Sequence, residues 1–507
     1  MCQFGTCDIP CLRFIGLFPG SLFARYVDGM LRTYRRREPE KTVLYQVVQN
    51  NLATFLARAE DRGRVVPWFV RKELEAYLDC GILTRGFVRV WCPGCQFEHA
   101  VALSCKGRGW CPSCGGKRMT ATAAHLVDNV FPRHVPVRQW VLSLPIRLRY
   151  RLAYDKELCA KAINLFVREV FRWYRWCAKV ELGLDSVSEA KCGSVTFVQR
   201  FDSAVRLNVH LHMLALDGVY VRDEEDGSFT FYSLPEPTTE DVARVAGWAR
   251  DKILELVGER GLGADDYDAQ LDLLAEQEPF LAECSAAAVT GTVASGRRAG
   301  RGVVRIRDEL LAGWNDDNIP DRCANVDGFS VHANTSVRAS DRKQLEKLAR
   351  YAARPPITTE RLEELSDGRV RYELRRPWSD GTTAIIYEPL ELLERLVALV
   401  PPPGFHRTRY HGVLARASPY RDKVVPKTSS AKRDKKSKNY SWAELMKRAF
   451  DIDVLVCPRC SGKMKVLATI MERDAIRAIL GARGLPVDPP PQPPAEPLPD
   501  EPYWEAA

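Results

Sequence analysis

His210 and His212 stand two residues apart in an alternating run from Val205 to Met213. On a strand, side chains at i and i+2 point the same way. Val205, Leu207, Val209, Leu211 and Met213 then share an apolar face, and Arg206, Asn208, His210 and His212 share a polar one. Two imidazoles so placed can hold one metal ion if a neighbouring element gives a third ligand. The plain alternative is a hydrogen-bonded histidine pair on a wet sheet face. A second candidate follows Val337. The pattern predicts a helix capped at Ser340 and stopped by Pro355-Pro356, with an apolar stripe of Leu345, Leu348, Ala349 and Ala352. Lys343, Lys347, Arg350, Tyr351 and Arg354 fall together on another stripe. A free phenol, with a pKa of about 10, is a poor nucleophile at neutral pH. Cations around it favour the phenolate and attract phosphate. Here too a plain reading stands beside it: a tyrosine packed on a sheet, with basic residues in water.

Cysteine is the other chemically loaded type, with 16 residues against 8 histidines. Cys80, Cys92, Cys95, Cys105, Cys111 and Cys114 cluster, Cys457 and Cys460 form a later pair, and the rest are scattered. Cys92-Pro-Gly-Cys95 and Cys111-Pro-Ser-Cys114 are tight knuckles with zinc-ribbon spacing, so these four are expected to close one tetrahedron. Such a Zn²⁺ is structural, because four thiolates leave no position open. Cys105 with Cys80 or His99 is a candidate for a second site. Cys457-Pro-Arg-Cys460 reads as half a knuckle that needs distant partners. Lys106, Arg108, Lys117 and Arg118 interleave with Trp110, which suits nucleic acid or an ordinary solvated surface.

Length sets the frame for these groups. A chain of 507 residues implies two to four domains. No apolar run is long enough to span a membrane. The patch from Leu12 to Phe23 is broken by Arg13 and Pro19 and lacks a signal-peptide layout. A cytoplasmic place, with no membrane partner, is therefore expected. The net charge of +9 points to an anionic partner.

The apolar spacing predicts helices over 43–62, 119–130, 152–180 and 341–353, and strands over 138–144, 192–201, 206–221 and 328–337. The order suggests an α+β fold, an antiparallel sheet with helices on one face. The expected organisation is a poorly ordered segment 1–40, a helix and zinc-binding domain 41–130, and a main domain 135–356 with an insertion 222–326. A segment 357–426 follows, with a hairpin and helix over 357–400, then a basic linker 427–440, a small module 441–485 with the late CxxC, and a disordered Pro-rich tail 486–507.

The segments SCKGRGWCPSCGGKRM (Ser104 to Met119), QRFDSAVRLNVHLHMLALDGVY (Gln199 to Tyr220), RYAARPP (Arg350 to Pro356) and RYHGVLARASPYRDKVVP (Arg409 to Pro426) occur in one order. Together they resemble the transposases of the insertion-sequence-91 family, rolling-circle elements of the HUH class (His, hydrophobic residue, His). The resemblance covers the chain from about Val43 to Leu480. It implies a HUH nuclease-type sheet and a bacterial, nucleoid-associated enzyme that nicks single-stranded DNA at element ends. Tyr351 would attack the scissile phosphate, giving a 5′-phosphotyrosine and a free 3′-OH. His210 and His212 would hold Mg²⁺ or Mn²⁺, with Gln199 as the first choice of third ligand and His332 the second. The zinc segment, through Lys106, Arg108, Lys117 and Arg118, would bind terminal hairpin or duplex DNA. Lys343, Lys347, Arg350 and Arg354 would add contacts, as would the segment 407–438; His411 within it and His406 beside it suit phosphate contact or ordinary packing. Some members carry a second tyrosine four residues earlier; here Lys347 stands there, as in the single-tyrosine branch. Strand exchange then needs reuse of Tyr351 or a second protomer, which leaves a homo-oligomer open. Two other readings remain: a non-catalytic zinc-ribbon DNA-binding protein, and an unrelated metallohydrolase using His210 and His212.

Overall fold

The structure is a computed structural model, and it describes residues 34, 36–223, 227–260, 272–312, 320–426, 440–450 and 452–497. Most of the segment 1–40, nearly all of the basic linker and the tail beyond 497 lie outside the described residues.

Helix α1 (Val43–Asp61) forms where the apolar spacing places it, with Thr42 as N-cap. Helix α2 (Trp68–Asp79) ends at Cys80. Strands β1 (Phe87–Trp91) and β2 (Glu98–Ala102) make a hairpin whose turn carries Cys92 and Cys95. Helix α3 (Pro112–Asn129) begins inside the second knuckle, well before Met119, because Pro112 at its first turn suits a helix start. After β3 (Val137–Ser143), the long helical run divides at Asp155 into α4 (Ile146–Tyr154) and α5 (Lys156–Leu182). The Asp155 carboxylate accepts from the backbone N–H of Glu157 and Leu158, so it caps the second helix.

Strands β4 (Gly193–Phe201) and β5 (Leu207–Leu216) follow. The expected strand to Val221 breaks at Asp217, and β6 (Gly218–Arg222) pairs instead with β7 (Phe229–Ser233). Next come α6 (Thr239–Gly258), α7 (Leu273–Gln277), α8 (Pro279–Thr290), β8 (Val304–Ala312), β9 (Cys323–Val326) and β10 (Phe329–Val337). Helix α9 (Arg342–Ala352) is capped by Asp341 rather than Ser340: its carboxylate accepts from Gln344 N–H at 2.9 Å. The rest comprises β11 (Leu362–Glu364), β12 (Val370–Glu373), β13 (Asp380–Tyr387), α10 (Pro389–Leu399), β14 (Thr408–Gly412), α11 (Arg421–Val424), α12 (Trp442–Phe450), β15 (Lys465–Ile470) and α13 (Arg473–Gly481).

The largest sheet has six strands in the order β14-β4-β5-β3-β10-β9, every pair antiparallel. Helices cover both of its faces, not one. Val209, Leu211 and Met213 of β5 join the core that α4, α5 and α6 build. Leu214 and Leu216, of opposite parity, pack in a second core with Leu126 and Val127 of α3 and Leu345, Leu348 and Ala352 of α9. The β14 end of the sheet comes from the segment Thr408–Gly412, at the start of the fourth quoted motif.

Three expected boundaries fall elsewhere. The stretch read as an insertion supplies β9 to the main sheet, and its β8 completes a second sheet, β11-β12-β13-β8. The late module is not separate, because β15 pairs with β1. The described part of the Pro-rich tail lies along α1: Gln49 Nε2 donates to Pro491 O, and Glu496 N–H donates to Thr54 Oγ1 at 3.0 Å.

Candidate active site and zinc centres

Sheet register places the first group. On β4 and β5, Gln199 lies opposite His210; on β3, Ser143 lies opposite His210 and Val141 opposite His212. Cross-strand partners share a face. His210 and His212 are therefore side by side, ring centroids 4.9 Å apart, and both are buried. Helix α9 lies over this face, and the Tyr351 ring stands edge-on to His212 at 5.6 Å. The sheet and helix are tied together by Gln199, whose Nε2 donates to the carbonyls of Tyr351 and Ala352 at 2.9 Å each.

This pocket holds buried polar atoms with no partner in the structure: His212 Nε2, Gln199 Oε1, Ser143 Oγ and Asn208 Oδ1. Buried polar groups are nearly always paired, so several orphans in one place mark a site for water or an ion. Burial holds the His210 imidazole down to about 4 and pushes that of His212 well below its ordinary value. Both rings are neutral at physiological pH, the state that binds metal. His210 Nδ1 meets the carbonyl of Asn208 at 3.0 Å, which fixes its proton there and leaves Nε2 with a lone pair. His212 Nδ1 meets Gln139 Nε2 at 2.7 Å, and a flip of that amide exchanges its nitrogen for its oxygen. A metal on Nε2 requires a proton on Nδ1, and so the oxygen end of that carboxamide. His210, His212 and Gln199 Oε1 are the donors here that could hold a divalent cation. His332 fits less well, since Nδ1 meets Cys323 Sγ at 2.8 Å and Nε2 meets Ser330 Oγ at 3.2 Å.

Around Tyr351 the cations differ from the expected strip. Arg354 stacks over the Tyr351 ring at 4.7 Å. Lys343 and Lys347 are exposed, but Arg350 is paired with Glu346 at 2.5 Å, and Glu346 also holds Arg448 at 2.7 Å. Arg375 was not singled out in the sequence. It lies near Tyr351, and its guanidinium is pushed down by burial and by Arg354, Arg361 and Arg376. The signal for it was the pair Arg375-Arg376 ahead of Pro377, which lacks a spacing rule linking it to Tyr351.

The cysteines regroup. Cys80, Cys105, Cys111 and Cys114 form one set, and Cys92, Cys95, Cys457 and Cys460 another, each with all four Sγ atoms within 4.8 Å. The two knuckles do not share a tetrahedron as expected. One sits on the β1–β2 turn and the other starts α3, and each meets a different pair. His99 belongs to neither set; it packs against Tyr34 and Phe97. Sγ separations of 3.8 Å for Cys80–Cys114, 3.7 Å for Cys80–Cys111 and 3.4 Å for Cys95–Cys457 are far from a disulfide and near the roughly 3.8 Å of a tetrahedral zinc thiolate. In the first set the Cys105 contact comes first in drawing Cys80 down, in lowering Cys114 to about 7, and in driving Cys111 up. Four touching thiols cannot all ionise without a cation between them. Lys106, Arg108 and Lys117 are exposed and Arg118 half-buried. Trp110 is fully buried against Tyr77, so it cannot stack on a base.

The zinc helix and the tyrosine helix touch. Arg342 of α9 donates to the carbonyls of Val127, Phe131 and Pro132 at the end of α3. At the other end, a Cβ on Gly115 would lie 2.6 Å from Pro355 Cβ.

Two family models match this architecture. One, Y2_Tnp, described as "Putative transposase", matches residues 193–421, from β4 through β14 and into the fourth motif. The other, described as "Transposase zinc-binding domain" of the IS91 type, matches residues 47–144. The chain belongs to the insertion-sequence-91 family of transposases. It is a DNA-processing chain with a zinc-binding region, and its two four-cysteine sets are structural Zn²⁺ sites. The searches of curated proteins and of solved structures each returned no match. No helix among the described residues is long and apolar enough to cross a membrane.

Proposed function

We propose that this insertion-sequence-91 transposase is a HUH-type enzyme that nicks and rejoins single-stranded DNA at the element's ends through Tyr351, in rolling-circle transposition. One observation carries the reading: the Tyr351 ring lies against His212, and Gln199 bonds the carbonyls of Tyr351 and Ala352 while its own oxygen is left free. Nucleophile and metal donors thus belong to one rigid unit.

Tyr351 Oη attacks the scissile phosphorus, the phenolic proton is lost, and the bond to the departing 3′ oxygen breaks as that oxygen gains a proton. The product is a 5′-phosphotyrosine and a 3′-OH. One phosphodiester bond replaces another, so rejoining by the reverse attack needs no ATP. Arg354 and Arg375 place positive charge beside the phenol, where it draws the phosphate in and offsets charge that develops on it. His210, His212 and Gln199 would hold Mg²⁺ or Mn²⁺, which when bound polarises the phosphate and offsets charge that develops on it. Lys347 occupies the place of a second tyrosine, so exchange between two strands takes a second protomer or a second use of Tyr351.

The test is an incubation of the purified chain with labelled single-stranded element ends and Mn²⁺. A covalent protein–DNA adduct that survives SDS is expected, and Tyr351→Phe should abolish it while DNA binding persists. Adduct from the Phe variant in equal yield overturns the assignment. Cleavage without adduct points to a metallohydrolase, and binding without cleavage to a non-catalytic relative.

A further inference from the structure

A crevice of about 200 Å³ runs along the seam between the zinc module and the main sheet. One wall is Arg108, on the loop between Cys105 and Cys111, with Arg118 of α3. Arg407, just before β14, Arg200 of β4 and Arg354 make up much of the rest, and Gln199 and Ala352 also line it. No carboxylate lines the crevice. Arg108, Arg354 and Arg407 form no ion pair among the described residues. Arg118 gives its Nη2 to the carbonyls of Lys106 and Gly107, at 3.4 and 2.8 Å. Arg354 Nε and Arg200 Nε are buried without a partner. Burial first, and then Arg118, Arg108 and Arg200, hold Arg407 down to about 10, with Glu73 alone opposing. Glu73 is itself engaged, since its carboxylate accepts from Gly109 N–H at 2.6 Å.

Guanidinium groups crowded in a cleft that no carboxylate lines repel one another, and an anion between them relieves that cost. The guanidinium fork matches phosphate oxygens two at a time. We infer that this crevice binds the sugar–phosphate backbone of a single DNA strand immediately beside the position of Tyr351. Ala352 lines it, so a strand whose scissile phosphate rests at Tyr351 continues directly into it. The inference rests on the nicking reading for its strand and adds the path of that strand and the residues that hold it. It also gives the first zinc site a role in DNA binding, because that site fixes the loop carrying Arg108 and the helix carrying Arg118.

The test uses the full Tyr351→Phe chain, which cannot cleave, and a labelled single-stranded oligonucleotide from the element end. R108Q and R407Q are each expected to weaken binding about tenfold at low salt. Each should also reduce the slope of log affinity against log salt by about 0.7, the value for one lost phosphate contact on a single strand. An oligonucleotide with uncharged methylphosphonates next to the scissile position should bind the parent weakly and be insensitive to R407Q. R108Q alters an exposed residue and carries the test if R407Q fails to fold. Unchanged affinity and slope in R108Q overturn the proposal, as does displacement of the strand by polyglutamate with no methylphosphonate effect, which would mark an acidic-peptide site. Absence of adduct from the Tyr351 chain sinks the nicking reading and leaves this binding result standing.

Discussion

At the scale of single residues, Gln199 has two tasks that pull on different atoms. Its amide nitrogen holds the end of α9, and its oxygen is buried without a partner on the strand position opposite His210. Replacing it with Ala removes both, and the Mn²⁺ concentration for half-maximal adduct formation should rise about 10-fold or more. A titration that matches the parent would remove Gln199 from the donor set. The pairing of His210 with His212 was legible from strand parity alone, since alternation fixes which side chains share a face. Their neighbours were not. Gln139 and Ser143 reach the site from β3, and Arg375 comes from the segment between β12 and β13. Which strands lie side by side is a property of the sheet order, and no local pattern encodes it.

Among the elements, α3 and α9 decide how the two halves of the chain meet. Gly115 and Gly116 make a matched pair of probes on α3. Gly115 faces Pro355, where a Cβ would come within 2.6 Å of the ring, while Gly116 has nothing within 4 Å. In a helix interior, Gly→Ala by itself stabilises by about 1 kcal/mol. Overpacking against a rigid proline costs about 1–3 kcal/mol. Gly116→Ala should therefore raise the melting temperature. Gly115→Ala should lower it and reduce adduct yield, because Pro355 adjoins the end of the tyrosine helix. Equal melting shifts for the two variants would contradict the tight contact. Periodicity located both helices, and it missed the start of α3 because the knuckle cysteines were read as a loop. It also missed the Asp155 break, since the apolar stripe runs on through a capping residue.

For the molecule as a whole, the second four-cysteine set joins segments far apart in sequence. Cys92 and Cys95 close with Cys457 and Cys460, and β15 extends the β1–β2 hairpin. Cys460→Ser should lower the zinc content from two ions per chain toward one and make residues after 440 more sensitive to protease, with the first site still filled. Elemental analysis giving two ions would refute the grouping. The sequence offered Cys457 and Cys460 only as half a knuckle, because the partner half lies 362 residues away and spacing rules do not reach that far. That separation also acts in time. At ribosomal speeds of about 5–20 residues per second, Cys95 waits about 20–70 s for Cys457. Throughout that interval the early hairpin carries two unfilled thiols and an unpaired β1 edge. A chain broken off anywhere before Cys457 never closes the centre, so completion of the zinc site reports that translation has passed Cys460.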